Sequence, residues 1–211
     1  MTGAGPSVAV VDYGAGNLVS IEQALTAAGA SVRRVLAAAD IGDADLLVVP
    51  GVGAAAPAME RLRDGGFVEP IRRWIADDRP FLGICLGLQL LFEGSDEDGA
   101  QTLGILPGRT VRLEGAPTLP HIGWNQVDRR REHPAFAGIA PGAEFYFVHS
   151  YVGAPTGPDG AATTLADTEH GSRFVSAVAR DRLLGVQFHP ERSGANGLRF
   201  VANLVAWLRA A

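Results

Sequence analysis

The segment Gly83-Ile84-Cys85-Leu86-Gly87 decides the fold of this chain, because it places a nucleophile between two glycines. It follows an apolar run at residues 81–84, which predicts a buried strand, and it opens residues 86–92, which predict a helix. A sharp turn at such a junction strains the backbone of the nucleophile, and the flanking glycines let neighbouring chains approach closely. A thiol at a helix N-terminus meets unpaired N–H groups that favour the thiolate. The alternative interpretation is a buried core cysteine between two packing glycines.

Outward from this segment, the N-terminal half alternates short apolar runs with helical patterns, which is typical of a parallel α/β sheet. Strands are predicted there at residues 8–11, 32–36, 46–49 and 81–84, and helices at residues 18–28, 59–62, 67–75 and 86–92. The second half predicts strands at residues 110–113, 124–127, 144–152, 163–166, 174–179 and 183–188, and a closing helix at residues 198–208. No linker or repeat interrupts the pattern. We expect one α/β domain over residues 1–211, with a mixed sheet between helices.

Composition and charge exclude several classes of function. The formal net charge of −5 offers no electrostatic footprint for nucleic acid, and the run at residues 129–131 is interpreted as a solvated turn. The longest apolar stretch, residues 80–92, is too short to cross a bilayer. Residues 1–6 lack the basic region of a signal peptide, and Cys85, the only cysteine, cannot form an internal disulfide. We expect a cytoplasmic protein without nucleic-acid or membrane partners.

A thiolate nucleophile needs a base that also returns a proton to the leaving group. Of the five histidines, His189 is the best placed, since it ends an apolar strand and active sites gather at strand ends in α/β sheets. Pro190 favours an extended backbone at His189, so that Glu191 can face the imidazole and fix its tautomer. Taken alone, a histidine at a strand end is more often structural. One cysteine and dispersed histidines make no plausible zinc site, so no metal is expected.

The segment Gly51-Val52-Gly53, after the third predicted strand, is a candidate oxyanion hole. Acyl transfer needs N–H donors aimed at the developing oxyanion. Glycines on both sides of Val52 leave its peptide free to present or withdraw an N–H group. The N–H of Leu86, the residue after the nucleophile, is the second candidate donor. The alternative for the segment alone is a plain turn.

Taken together, these motifs resemble the class I (triad-type) glutamine amidotransferases. Cys85 in Gly-Ile-Cys-Leu-Gly-Leu-Gln and His189 in Gln-Phe-His-Pro-Glu carry the resemblance. Further stretches narrow it to the glutaminase subunits of imidazole glycerol phosphate synthase: Val-Asp12-Tyr-Gly-Ala-Gly-Asn-Leu, Val-Pro-Gly51-Val-Gly, Pro120-His-Ile-Gly-Trp-Asn125 and Tyr146-Phe-Val-His-Ser-Tyr151. Leu88 stands where the related glutaminases of anthranilate or aminodeoxychorismate synthesis have histidine. The resemblance covers essentially the whole chain.

The resemblance implies a flavodoxin-like fold with a nucleophile elbow, and a role for each matching residue. The implied roles are nucleophile for Cys85, general acid/base for His189, orienting carboxylate for Glu191, oxyanion-hole donors for Val52 and Leu86 within Gly51–Gly53, glutamine binding for Gln89, Glu97, Ser150 and Tyr151, and partner contact for His121, Trp124, Asn125 and Arg192. A carboxylate at Glu97 suits the ammonium group of glutamine. Ordinary core packing is the alternative for Trp124. Ala54-Ala55 replaces a bulky aromatic of the family, and Arg192 replaces the usual lysine.

The implied activity is hydrolysis of L-glutamine to glutamate and ammonia through a glutamyl thioester, without a cofactor. Ammonia would pass to a (β/α)₈-barrel cyclase subunit in a heterodimer that serves histidine biosynthesis, so the glutaminase is classed as a hydrolase and the complex as a lyase. Two alternatives remain open. The chain could be the glutaminase subunit of another synthase, or a non-catalytic regulatory subunit of the same fold.

Overall fold

The chain is described by a computed structural model over residues 5–210. The predicted domain spans residues 1–211, so its first four residues and its last lie outside this range. Most of the segment that lacks a signal-peptide pattern, residues 1–6, lies outside it as well. Within the described residues, no helix is long and apolar enough to cross a membrane.

Strands and helices alternate through the first half of the chain and give way to strands in the second half. The first half contains β1 (Ser7–Val11), α1 (Leu18–Ala27), β2 (Ser31–Val35), β3 (Leu46–Gly51), α2 (Ala55–Asp64), α3 (Val68–Ala76), β4 (Phe81–Cys85), α4 (Leu86–Gln89) and β5 (Gly94–Ser95). The second half contains β6 (Gly108–Arg112), β7 (His121–Arg129), β8 (Ala143–His149), β9 (Tyr151–Pro155), α5 (Gly157–Thr163), β10 (Thr164–His170), β11 (Ser172–Arg180), β12 (Leu183–Val186) and α6 (Gly194–Ala210).

A mixed sheet of nine strands forms the centre, in the order β2-β1-β3-β4-β12-β11-β10-β7-β8. Strands β2, β1, β3, β4 and β12 run parallel, and the remaining four are antiparallel to their neighbours. The parallel part has the 2-1-3-4-5 order of flavodoxin-like sheets, with β12 in the fifth place. The predicted α/β fold is therefore confirmed. Strands β5, β6 and β9 form a separate small sheet.

The inner parallel strands β1, β3, β4 and β12 are buried on both faces because helices cover each side of the sheet, whereas the edge strand β2 is partly exposed. Alternate residues of one strand belong to different hydrophobic clusters: Val8 and Val10 pack with α1 and α6, whereas Ala9 and Val11 pack with α2 and α3. This is the two-residue period of a strand. The near-continuous apolar runs of the sequence follow from burial on both faces.

Two predicted elements differ from the structure around the cleft. The helix predicted at residues 86–92 is only one turn long, Leu86–Gln89, and hydrogen-bonded turns continue to Phe92. The strand predicted at residues 144–152 is two strands, because the chain leaves the large sheet at Ser150 and continues in the small one. The sequence showed no turn residue there other than serine, so this break was not predicted.

The carboxyl ends of the parallel strands define where a site can form. Strand β3 ends at Gly51, β4 ends at Cys85, and β12 leads through Gln187 toward His189. These ends meet at one edge of the sheet, where open α/β sheets bind their ligands.

Candidate active site

Cys85 is the last residue of β4 and has φ 53° and ψ −106°, a backbone conformation that side chains rarely adopt. The two flanking glycines make the turn sterically possible. A Cβ on Gly83 would lie 2.6 Å from the carbonyl oxygen of Gly87, and one on Gly87 would lie 1.8 Å from the carbonyl oxygen of Val49. Helix α4 is a single turn, so no long helix dipole acts on the thiol, and the side chain of Cys85 makes no capping hydrogen bond to this turn.

His189 and Glu191 form a buried pair beside the elbow. Nδ1 of His189 lies 2.8 Å from Oε1 of Glu191, and both side chains are almost fully buried. His189 itself is extended, but Pro190–Arg192 forms a short 3₁₀ turn, so the carboxylate reaches the ring through a turn and not along the extended chain that the sequence predicted. The backbone N–H of His189 donates to the carbonyl of Tyr146, which anchors the backbone of His189 to β8.

The charge state of His189 depends on its two neighbours. Burial lowers the pKa of His189, but the side chains of Cys85 and Glu191 outweigh burial and raise it to about 10. The register of β12 on β4 pairs Val186 with Ile84, so the segment that leads to His189 leaves the sheet next to Cys85. Among the described residues, Nε2 of His189 nonetheless has no hydrogen-bond partner of normal geometry. Catalytic hydrogen bonds are often loose before substrate binds.

A cleft of about 280 Å³ opens over the sulfur, a volume that suits a ligand the size of an amino acid. Its lining residues are Val52, Gly53, Ala54, Cys85, Gln89, Glu97, Pro120, Val148, His149, Ser150 and Tyr151. All four residues predicted to bind glutamine are among them. Desolvation, and next the charge of Asp98, raise the pKa of Glu97, and an incoming ammonium group would oppose both effects because it favours the charged carboxylate.

Glycine is required on the two sides of Val52 for different physical reasons. Gly53 has φ +95°, and an added Cβ would meet nothing within 4 Å, so conformation alone requires glycine there. Gly51 is required by space, because a Cβ on it would lie 2.0 Å from the hydroxyl of Tyr13. That hydroxyl is buried, without a hydrogen-bond partner among the described residues, and burial and then the charge of Cys85 raise its pKa. The sequence predicted freedom at both glycines, but only Gly53 has it.

The four predicted interface residues lie outside the cleft lining. The side chain of Trp124 is 53% exposed, so the core-packing alternative is wrong. Its ring meets the edge of Tyr146, over which the guanidinium of Arg192 lies 4.2 Å from the ring centroid. His121 is buried and Asn125 is half-buried, so these two side chains belong to an internal network.

A chain of hydrogen bonds connects that network to the cleft. Nδ1 of His149 lies 3.1 Å from the carbonyl oxygen of Tyr151, which only accepts, so Nδ1 carries the proton. Nε2 of His149 then accepts from Nδ1 of His121 at 3.1 Å, and Nε2 of His121 accepts from the amide of Asn125 at 3.2 Å. The same amide donates to the carbonyl of Glu169 at 2.8 Å. Both rings are therefore neutral with assigned tautomers.

Because His121 and His149 are neutral in the folded chain, we expect the protein to lose stability in acid. Burial, and then the charge of His170, lower the pKa of His121 to about 4; burial and then His121 lower the pKa of His149 to about 3. Since the unfolded chain takes up protons near pH 6.5 and the folded chain does not, stability falls as pH drops below about 6.5. Each neutral histidine contributes up to about 1.4 kcal/mol per pH unit. Thermal unfolding between pH 7 and 5 measures the slope.

Mutation can separate the contribution of His121 and His149 to the pH dependence of stability from that of other histidines. His133 also has a pKa lowered to about 4, by burial and then by the charge of Arg131, so it adds to the acid slope of the wild type. His121→Asn removes one titrating ring and should flatten the slope, and His133→Asn should flatten it independently. An unchanged slope in His121→Asn would show that the pair does not stay neutral.

Three residues of this site have no role predicted from the sequence: Tyr13, His149 and Gln187. All three stand inside the motifs that carry the family resemblance. The signal that could have found them is alternation, because each occupies an inward-facing position near the end of a strand. Their partners come from distant parts of the chain, which the sequence does not align.

The family model and the similar proteins indicate the same family. Residues 9–206 match the family model described as glutamine amidotransferase class-I. The chain is 46% identical over 204 residues to the imidazole glycerol phosphate synthase subunit HisH of Syntrophotalea carbinolica, covering 93% of this chain and 98% of that protein. It is 47% identical over 210 residues to HisH of Synechococcus elongatus, covering 98% of this chain and 95% of that protein.

Solved structures share the fold at lower identity. PurLQS from Thermotoga maritima matches with a TM-score of 0.77 at 17% identity, over 97% of this chain and 99% of that chain. A glutamine amidotransferase from the same organism matches with a TM-score of 0.66 at 18% identity, over 97% of this chain and 81% of that chain. These two similarities concern the fold alone.

Proposed function

This chain belongs to the class-I glutamine amidotransferase family, and from that membership we propose how its site works as the glutaminase subunit of an imidazole glycerol phosphate synthase. It is a glutamine amidotransferase that hydrolyses glutamine and supplies ammonia for histidine biosynthesis. Three features at the same edge of the sheet support the proposed site. They are the strained Cys85, the buried His189–Glu191 pair, and the cleft above the sulfur.

The first half-reaction forms a thioester. The Cys85 thiolate attacks the side-chain amide carbon of glutamine, and a tetrahedral oxyanion forms. His189, whose raised pKa makes it an imidazolium at neutral pH, protonates the departing nitrogen, and the C–N bond breaks to release ammonia. Glu191 holds Nδ1 so that Nε2 faces the reacting atoms.

The second half-reaction uses the same histidine with the opposite role. Once the sulfur is acylated it carries no charge and no longer raises the pKa of His189, while burial still lowers it. With this lower pKa the ring is more readily neutral, and the neutral imidazole acts as the base that takes a proton from the water that attacks the thioester. The C–S bond breaks, glutamate is released and loses its carboxyl proton to solvent, and the Cys85 thiolate and the His189 imidazolium are restored. Loss of one charge thus converts an acid into a base.

The oxyanion is stabilised by backbone N–H groups of Val52 and Leu86. Leu86 follows the nucleophile directly, and the β3–β4 register pairs Gly51 with Cys85, which brings the Val52 segment to the same point. Val52 is about half exposed at the mouth of the cleft, and an added Cβ on Gly53 would meet no atom within 4 Å. Rotation of the Val52 peptide therefore has a low steric cost on one side, which suits a donor that is aligned only when a partner docks.

The chain acts as a subunit of a synthase, and we assign its docking surface to the exposed side of β7. Ile122 is 61% exposed and Trp124 is 53% exposed, and Arg192 lies beside them on the ring of Tyr146. Large exposed apolar side chains of this kind mark protein–protein contacts. The partner is a (β/α)₈-barrel cyclase that consumes the ammonia, in a heterodimer.

The test is a glutaminase assay with and without the cyclase and its nucleotide substrate. We expect weak hydrolysis by the isolated chain and activation of about tenfold or more in the complex, within the usual range of allosteric coupling. Full activity in the isolated chain would contradict the partner-dependent oxyanion hole. Co-purification with a different synthase would identify another partner. Failure of an electrophilic glutamine analogue to label Cys85 in the complex would favour a non-catalytic subunit.

A further inference from the structure

Gln187 contacts the proposed nucleophile directly. It is the residue after β12, its side chain is fully buried, and its backbone N–H donates to the carbonyl of Ser176 at 2.9 Å. Nε2 of its side chain lies 3.5 Å from Sγ of Cys85, in the range of N–H···S hydrogen bonds, which are longer than N–H···O bonds because sulfur is larger. A buried amide therefore aims a donor at the reacting atom.

The orientation of this amide follows from its other neighbour. Nε2 of Gln89 lies 2.8 Å from the carbonyl oxygen of Tyr151, which only accepts, so the nitrogen of Gln89 must be there. The same nitrogen lies 3.2 Å from Oε1 of Gln187. Flipping the Gln187 amide would set two N–H₂ groups against each other and turn an oxygen lone pair toward the sulfur. The nitrogen of Gln187 consequently faces Cys85.

The sulfur needs such a donor most when it is charged. Cys85 is 5% exposed, so water cannot solvate a thiolate there fully, and a buried anion is costly without hydrogen bonds. A further polar contact, the carbonyl oxygen of Val148 at 3.9 Å, can accept from a thiol but offers nothing to a thiolate. A neutral amide stabilises the anion without competing with His189 for the role of acid.

We propose that Gln187 is a further catalytic residue, whose amide N–H stabilises the Cys85 thiolate and holds the sulfur in position for attack. The inference rests on the proposed function, in which Cys85 is the nucleophile. The same bond acts twice, because the thiolate is the attacking group in the first half-reaction and the leaving group in the second. Gln89 is the positioning residue that keeps the donor turned to the sulfur.

The test measures the thiolate without using glutamine. The rate at which iodoacetamide alkylates Cys85 is followed against pH in the full-length chain, for wild type and for Gln187→Met, which keeps the volume and removes the donor. We expect the pH midpoint of alkylation to rise by about one unit or more and kcat of the complex to fall about 10- to 100-fold, the effect of one hydrogen bond to a charged group. KM for glutamine should change little.

Two further variants make the outcome decisive. Gln187→Asn keeps an amide but withdraws it by one methylene, so it should behave like Gln187→Met. Ser176→Ala is the matched control, because this serine is equally buried, accepts the backbone N–H of Gln187 through its carbonyl, and has a hydroxyl with no partner among the described residues. Its alkylation profile should match the wild type.

An unchanged alkylation midpoint in either folded Gln187 variant would overturn the proposal, even if turnover fell. Failure of the proposed function gives a different result: the wild-type complex would then hydrolyse no glutamine, whatever the alkylation profiles show. Circular dichroism and thermal unfolding establish which variants are folded before the comparison is made.

Discussion

Cys85→Ala is expected to abolish glutamine hydrolysis, with a loss of about 10⁴-fold or more, while synthesis from added ammonia survives in the complex. The loss is large because the sulfur forms the covalent bond of the thioester, and no other cysteine occurs in the chain. The replacement removes one buried atom from the floor of the cleft and leaves the elbow glycines in place. The docking surface around Trp124 is untouched, so the synthase reaction should persist.

The measurement compares two nitrogen sources in the same complex. Product formation by the cyclase is followed with glutamine and then with ammonium chloride, for wild type and Cys85→Ala. The ammonia reaction is the internal control for folding and assembly. Glutamine-dependent synthesis that survives in the variant would show that Cys85 is not the nucleophile, and loss of both reactions would point to a structural role.

Gly87→Ala is expected to have the largest effect on stability. A Cβ at this position would lie 1.8 Å from the carbonyl oxygen of Val49, a backbone atom in the central strand β3, which cannot move without displacing the sheet. Such overpacking against backbone should lower the free energy of unfolding by more than about 4 kcal/mol, the range of exceptional single substitutions. For a chain of this size the thermal midpoint would fall by about 10 °C or more.

Gly66→Ala is the matched control for this prediction. Gly66 has φ +68°, so alanine there is strained, but an added Cβ meets no atom within 4 Å. The expected cost is the conformational strain alone, about 1–2 kcal/mol. Equal destabilisation by the two substitutions in a denaturant titration would show that the close approach at Gly87 is not what requires glycine.

Much of the fold could be predicted from local patterns. The apolar runs at Val8–Val11 and Leu46–Val49 predicted parallel strands, because strands buried on both faces carry almost no polar residues. Helix α2 begins four residues before the predicted start, since alanines at its beginning show little periodicity. Helix α4 is shorter than predicted because the apolar pattern of residues 90–92 belongs to hydrogen-bonded turns packed in the core.

The part of the candidate site that consists of residues within short sequence segments could be predicted. Cys85 between glycines, and His189 followed by proline and Glu191, can be selected from short segments. The structure pairs His189 with Glu191 and places β12, which leads to them, beside the strand that ends at Cys85. Their catalytic roles stay predictions. The contact of Gln187 with the sulfur was not predictable, since the two residues are 102 positions apart and an amide has no strong preference for sulfur.

By itself, the sequence determined the local geometry of the nucleophile, because glycines at positions 83 and 87 are what a backbone with φ 53° at Cys85 requires, and it determined the family. Tertiary structure decided which distant groups meet that nucleophile. The register that pairs His121 with His149, and the break at Ser150 that turns Tyr151 toward Gln89, depend on packing between strands. Such pairings are set by the summed fit of whole surfaces and not by neighbours in the chain, so no short segment encodes them.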